Sequence, residues 1–448
     1  MNQTSPGPID RLLGIFGDVR GGEGGTVFLM LLNIFLLLVG YYVLKTVREP
    51  LILIAGGAEL KSYAAAAQAL TLIVYVPVYG WLASKLPRQK FLMAVILFFV
   101  GCIQLFFIGS KVGIPHLGFI FFVWVGIFSL TTIAQFWSYA NEIYTKDEGD
   151  RLFPLIAVGS AAGAPLGAAL AEWLFGIHIN PFLMMEIAAV ILLVHLALYQ
   201  IIGRRVTGTR AKATEPIKAG NGFALVFKSP YLRLIALFLV LLNIVNTVGE
   251  YILGQAVVTM GNAQALANSA FSKEAFIGSF YGKYFFWTNT VTILIQAFLV
   301  SRIVKKFGMT GVLFALPLVA LCAYGLASVG AGLSILLYVK IAENSTDYSV
   351  MNTGKQMLWL PTSREEKYKA KQAIDTFFVR SGDMLAAGVV FIGTHLLTFS
   401  VTSFALANIA FVLMAIGVAV LLLREYKRIT TPAEEQPLAV GAAQPQEG

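Results

Sequence analysis

The stretch TVFLMLLNIFLLLVGYYVLK, residues 26–45, decides the class of this chain. It is apolar on most faces of a helix, and about 20 such residues span the hydrocarbon core of a bilayer. Segments of the same kind recur down the 448 residues, at 60–84, 90–110, 117–144, 151–176 and 180–203. A second set runs 231–260, 275–300, 309–329, 332–361, 371–397 and 401–424. Composition agrees, with 57% hydrophobic and 13% charged residues, where a soluble domain carries about 25% charge. Strand patterning is absent.

The charges between these segments set an orientation. One side collects Lys85, Arg88, Lys90, Arg151, Arg204, Arg205, Arg302, Lys305, Lys306, Lys367, Lys369 and Lys427. The other holds little beyond Lys61, Lys111 and Lys273. Basic loops stay cytoplasmic, so both termini are expected there, in a bacterial inner membrane. The net charge of +9 then belongs to loops facing anionic lipid. No basic stripe interleaved with aromatics lies outside the apolar segments, which argues against nucleic acid. Residues 1–25 lack the apolar core of a signal peptide, so the first segment reads as an uncleaved membrane helix.

The chain also repeats itself. WLASKLPRQK at 81–90 follows the second segment and FLVSRIVKKF at 298–307 follows the eighth, an offset of roughly 220 residues that Cys102 and Cys322 share. The polar break at Gly203–Ser229 divides six segments from six. The expected fold is an all-α membrane protein of twelve transmembrane helices in two six-helix bundles, arranged in parallel as in major facilitator transporters. The expected organisation is a bundle at 1–203, a cytoplasmic linker at 204–229, a second bundle at 230–428 and a disordered tail at 429–448.

Ionisable groups at membrane depth line pathways or pair with each other. Lys340, Glu343 and Asp347 share a stripe of the tenth segment, with Lys355 further along; Arg380 and Asp383 are one turn apart on the eleventh. Glu142, Glu250 and Lys283 lie on the fourth, seventh and eighth, and Lys45 and Arg48 close the first. Lys340–Glu343 and Arg380–Asp383 can neutralise each other locally, and Lys45 and Arg48 can snorkel to headgroups. Lys283 and Lys355 have no acid within a turn, which favours a substrate-facing role. Basic groups on a pathway select anions. Tyr41, Tyr42, Phe136, Trp137, Tyr139 and Trp287 are candidates to stack on a base, or simply to pack. No nucleophile–base spacing, metal ligand set or phosphate loop is present, so neither an enzyme, a metal nor a cofactor is expected. His116, His178, His195 and His395 are dispersed.

Longer motifs add a resemblance. NTGKQMLWLP at 352–361, followed by KYKAKQAID at 367–375, is similar to the Lys-Glu-Met-Ala-Tyr-Ile-Pro-Leu and Lys-x-Lys-Gly-Lys-Ala-Ala-Ile-Asp segments of the nucleotide transporter (ATP/ADP translocase) family of intracellular bacteria and plastids. YYVLKTVRE at 41–49 resembles that family's Tyr-x-x-Leu-Arg-Asp-x-Lys-Asp. GAEL at 57–60, FWSYANE at 136–142, Asp147-Glu148 and RLFPL at 151–155 also fit. The resemblance implies a nucleotide carrier, by exchange or with protons. It places Arg48, Glu148, Glu250 and Lys355 at functional positions.

Thr353, Gln356 and Ala370 depart from the pattern, and Gly382-Asp383 stands where the family has Gly-Lys. The expectation is a monomeric transporter that meets lipid and a small anion. The alternatives are another phosphorylated or organic anion as substrate, or a membrane interaction protein that transports nothing.

Overall fold

The computed structural model describes residues 7–15, 18–85, 88–206, 222–363 and 365–430. Among them there is no strand. A short helix α1 (Pro8–Gly14) leads into α2 (Gly24–Lys85), α3 (Arg88–Val112), α4 (Leu117–Ile143), α5 (Lys146–Gly176) and α6 (Pro181–Arg205). After the short α7 (Gly222–Lys228) come α8 (Pro230–Ala267), α9 (Lys273–Phe298), α10 (Val300–Ser328), α11 (Leu333–Thr346) and α12 (Asn352–Met357). Then follow α13 (Lys371–Ala373), α14 (Val379–Phe391) and α15 (Val401–Thr430). Among the described residues nine helices are long and apolar enough to cross a membrane.

Two differences from the expected spans have plain causes. Helix α2 covers both 26–45 and 60–84, because it turns back at Gly56 and Gly57 rather than ending at Lys45. Gly57 sits at φ 68°, ψ −166°, a conformation a side chain makes costly, so the turn is written for glycine. Helices α9 and α11–α12 coincide with 275–300 and 332–361 but are not among the nine. Lys283 on one, and Lys340, Glu343 and Lys355 on the other, make them more polar than their neighbours.

Of the expected linker, Arg204 and Arg205 finish α6 and residues 222–228 form α7. Residues 207–221, and the tail from 431 onward, lie outside the described residues. The first residues are tied down at the face where α2 begins. The Asp10 carboxylate accepts from the N–H groups of Gly22, Gly7 and Gly24. Those backbone donors, Gly22 first, hold its carboxyl below the ordinary value. Arg151 binds Glu23 at 3.0 Å alongside them.

The first bundle is knit by α2 against α5. Gly159, Gly163 and Gly167, spaced by four, lie over the carbonyl oxygens of Leu31, Phe35 and Val39. Small residues at this spacing let two helix backbones touch. A Cβ at Gly163 would stand 2.5 Å from the Phe35 oxygen, and backbone cannot step aside. Gly163→Val is expected to cost at least about 1–3 kcal/mol, the range for overpacking. A thermal melt in detergent that matches the parent would contradict this.

The two bundles meet by α2 and α5 on one side and α8, α9 and α14 on the other. The contacts gather at the face opposite the one where α2 begins. There the Phe175 ring packs onto Gly278, Glu172 covers Gly282, and Gly254 faces Ala58. His395 Nε2 lies 2.6 Å from Glu59 across the same seam. A cleft of about 250 Å³ is lined by Leu72 and Pro77 of α2 and by Asp375 and Arg380 at and before the start of α14, among others.

Candidate functional site

Between the bundles lies a cavity of about 160 Å³, bounded by Lys45, Arg48, Glu49, Lys61, Glu250, Phe285 and Asn344 among others. Its walls come from the two arms of α2 on either side of the Gly56–Gly57 turn and from α4, α8, α9 and α11. Because α2 continues past residue 45 to the Gly56–Gly57 turn, Lys45 and Arg48 are inside the protein rather than at a helix end. That removes the snorkelling alternative for both.

Charges here form a chain across the seam. Arg48 binds Glu49 Oε1 through Nη2 at 2.6 Å and Nε at 3.1 Å. Lys61 Nζ lies 2.8 Å from Glu49 Oε2 and 3.2 Å from Glu250 Oε2. Lys340 Nζ continues it, 3.7 Å from Glu250 Oε1 and 3.1 Å from Glu343 Oε2. Hydroxyls and amides complete the set. Tyr284 donates to Glu250 at 2.8 Å, Tyr324 donates to Glu343, and Lys340 donates to Asn246 at 3.0 Å. Glu49 is 0% exposed, so its two cationic partners are what make its burial tolerable.

Lys45 differs from all of these. Its Nζ is 4.3 Å from the centre of the Phe285 ring, 5.1 Å from Tyr42 and 6.0 Å from Tyr41. Among the described residues no carboxylate stands within ion-pair distance of it. Tyr42 is held in place by donating to Asn289 at 2.9 Å. The ammonium is thus caged by ring faces, which attract a cation without neutralising it.

The other expected residues fall as follows. Lys355 reaches Asp347 at 3.2 Å, in a small adjoining cavity that shares Asn246 and Asn344 with the main one. A π turn at Asp347–Met351 explains the pairing. The residue it adds makes an i, i+8 pair point as i, i+7 would in a regular helix, onto one stripe. Asp383 accepts from Asn243 and Thr247, each at 2.9 Å, and pairs with Arg380 at 3.5 Å.

Lys283 is exposed and does not border the cavity. Glu148 caps α5 with Thr145, accepting from its N–H at 2.7 Å, and Glu142 closes α4. Phe136 and Trp137 pack on each other in the first bundle, Tyr139 packs on Tyr199, and Trp287 faces outward. Of the six aromatics, Tyr41 and Tyr42 accompany the lysine cage.

Glu49, Lys61, Asn246, Tyr281, Tyr284 and Asn344 were not anticipated. Lys61, expected in a loop of the sparsely charged side, lies instead on the first turn after the Gly57 bend, with its Nζ 4.6 Å from the centre of the Tyr281 ring. The adjacent glycines at 56 and 57 were the signal for it. Among the described residues no cluster of His, Cys, Asp or Glu is placed to hold a metal.

Known proteins resemble this chain along most of its length. It is 24% identical to ADP,ATP carrier protein 1 of Chlamydia trachomatis serovar D, covering 85% of this chain and 84% of that one. It is 23% identical to ADP,ATP carrier protein 2 of Chlamydia pneumoniae, covering 93% and 91%. Its fold matches the crystal structure of the nucleoside transporter NupG with a TM-score of 0.64 at 11% identity, over 90% of this chain and 99% of that one. A sulfate-bound POT peptide transporter matches equally, TM-score 0.64 at 14% identity, over 94% and 98%. These are transporters of major facilitator type, and that is the fold here. The profile described as TLC ATP/ADP transporter matches residues 9–109 and 119–427, so the chain belongs to the TLC ATP/ADP transporter family.

Proposed function

We propose that this protein carries a nucleotide across a bacterial inner membrane by alternating access, with the phosphate held at Lys45. The observation that carries this reading is the unpaired Lys45 ammonium among the rings of Tyr41, Tyr42 and Phe285, in a cavity reached by both bundles. The cation attracts phosphate, and the rings offer a face to a base. Arg48, Glu250 and Lys355 shape the site through their ion pairs. The seam through Phe175 and Glu59 closes one face, and the cleft between α2 and α14 opens towards the other. Rocking about the cavity exchanges the two. Lipid surrounds a monomer.

The test is reconstitution of purified protein into liposomes with a panel of labelled nucleotides and other phosphorylated metabolites. Saturable uptake of a nucleotide is expected. Uptake confined to non-nucleotide anions would replace the substrate, and no uptake of any kind would favour an interaction role.

The same reading places both termini and α7 in the cytoplasm. On a background lacking Cys102 and Cys322, Lys228→Cys is expected to resist an impermeant thiol reagent added to intact cells. Leu266→Cys, at the opposite face, is expected to react. Labelling in the reverse pattern would invert the topology.

A further inference from the structure

We propose that this site prefers a nucleoside monophosphate over the corresponding di- and triphosphates. The proposal rests on the nucleotide reading above and adds the charge state of the cargo. It follows from which cationic donors are still available.

Lys61 is ion-paired with Glu49 Oε2 at 2.8 Å and Glu250 Oε2 at 3.2 Å, and it donates to the Tyr281 hydroxyl at 3.3 Å. Lys340 donates to Asn246 at 3.0 Å and is ion-paired with Glu343 at 3.1 Å and Glu250 at 3.7 Å. Each of these ammonium groups already faces two carboxylates. Arg48 directs Nε and Nη2, one edge of its fork, at Glu49 Oε1. Its Cζ lies 4.1 Å from the centre of the Phe122 ring. Drawing any of these three onto a phosphate takes a partner from Glu49, Glu250 or Glu343. A buried carboxylate stripped of its partner costs more than the new contact returns. The adjoining cations are matched too, Lys355 by Asp347 and Arg380 by Asp383.

Lys45 is left. Around the cavity four cations, Lys45, Arg48, Lys61 and Lys340, meet three carboxylates, Glu49, Glu250 and Glu343. The site therefore offers one uncompensated positive charge. A phosphate monoester carries about −1.5 to −2 at neutral pH, and each further phosphate adds roughly one more charge. The surplus on a triphosphate would face Glu49 and Glu250 in a poorly screened interior.

The experiment measures Kd for AMP, ADP and ATP on the purified wild-type protein, with the same order checked by counterflow in liposomes. AMP is expected to bind at least about tenfold tighter than ATP, with ADP between. ATP binding as tightly as AMP, or tighter, would overturn the proposal and leave the nucleotide reading standing. No binding by any of the three would remove both. A second arm uses Glu49→Gln, which removes the carboxylate paired with an edge of Arg48 and with Lys61. The ratio of ATP to AMP affinity is expected to rise about tenfold. A ratio that stays level or falls would also overturn it.

Discussion

Lys45→Ala is expected to abolish nucleotide transport while leaving the protein folded and in the membrane. Lys45 has no carboxylate partner among the described residues, so its removal strands no opposite charge. Stability should change little. The lost contact to a phosphate in a poorly solvated cavity is worth about 2–5 kcal/mol, a fall in affinity of roughly 30- to several-thousand-fold. Lys45→Arg should restore part of it, since a planar fork fits the ring cage less well than a compact ammonium. The checks are binding and uptake beside a thermal melt. Uptake at the parental rate in Lys45→Ala would move the anion site elsewhere.

Lys61→Ala is expected to do the reverse, acting first on stability. It leaves Glu49, which is fully buried, with Arg48 as its one remaining cationic partner, and takes from Glu250 its link to the other bundle. Breaking one partner out of a buried ion pair costs about 3–5 kcal/mol. The melting temperature in detergent should fall well below that of Lys45→Ala. Adding Glu49→Gln to Lys61→Ala should recover part of the loss, because the under-compensated buried charge goes with it. A double variant no more stable than the worse single one would show that packing around Lys61, rather than its charge, governs the effect.

The contrast between these lysines indicates how far the sequence can be read. Apolar length located the helices, because hydrocarbon thickness admits few alternatives. It could not show that α2 runs on for a further ten or so residues beyond Lys45, because Thr46 to Glu49 look like the polar end of a span. From that one boundary came both the snorkelling alternative for Arg48 and the loop reading of Lys61. Glu49 stood beside Arg48 in the sequence, but which carboxylate meets which cation depends on helices nearly 200 residues apart, as Lys61–Glu250 shows. A regular helical period brings no acid to Lys355 within a turn, and the π turn alters that period so that Asp347 reaches it. Lys283 satisfied the same rule and lies outside the cavity. An unpaired charge at membrane depth locates a candidate, and only the packing says which way it faces.

The π turns are unevenly shared. Asp347–Met351, Glu366–Ala370, Ile374–Phe378 and Ile392–Leu396 all fall in the second half, and among the described residues the first half has none. Each wide turn trades ideal backbone hydrogen bonding for slack. The glycine stripe of α5, by contrast, clamps its helix to α2 backbone against backbone. One half is thus held by backbone contact and the other carries the departures from the regular helix. Bending during a transport cycle would be taken up in the stretch that carries the Asp347–Lys355 and Arg380–Asp383 pairs, while Lys45 stays on the clamped half, so the anion's anchor and the yielding turns lie on opposite bundles.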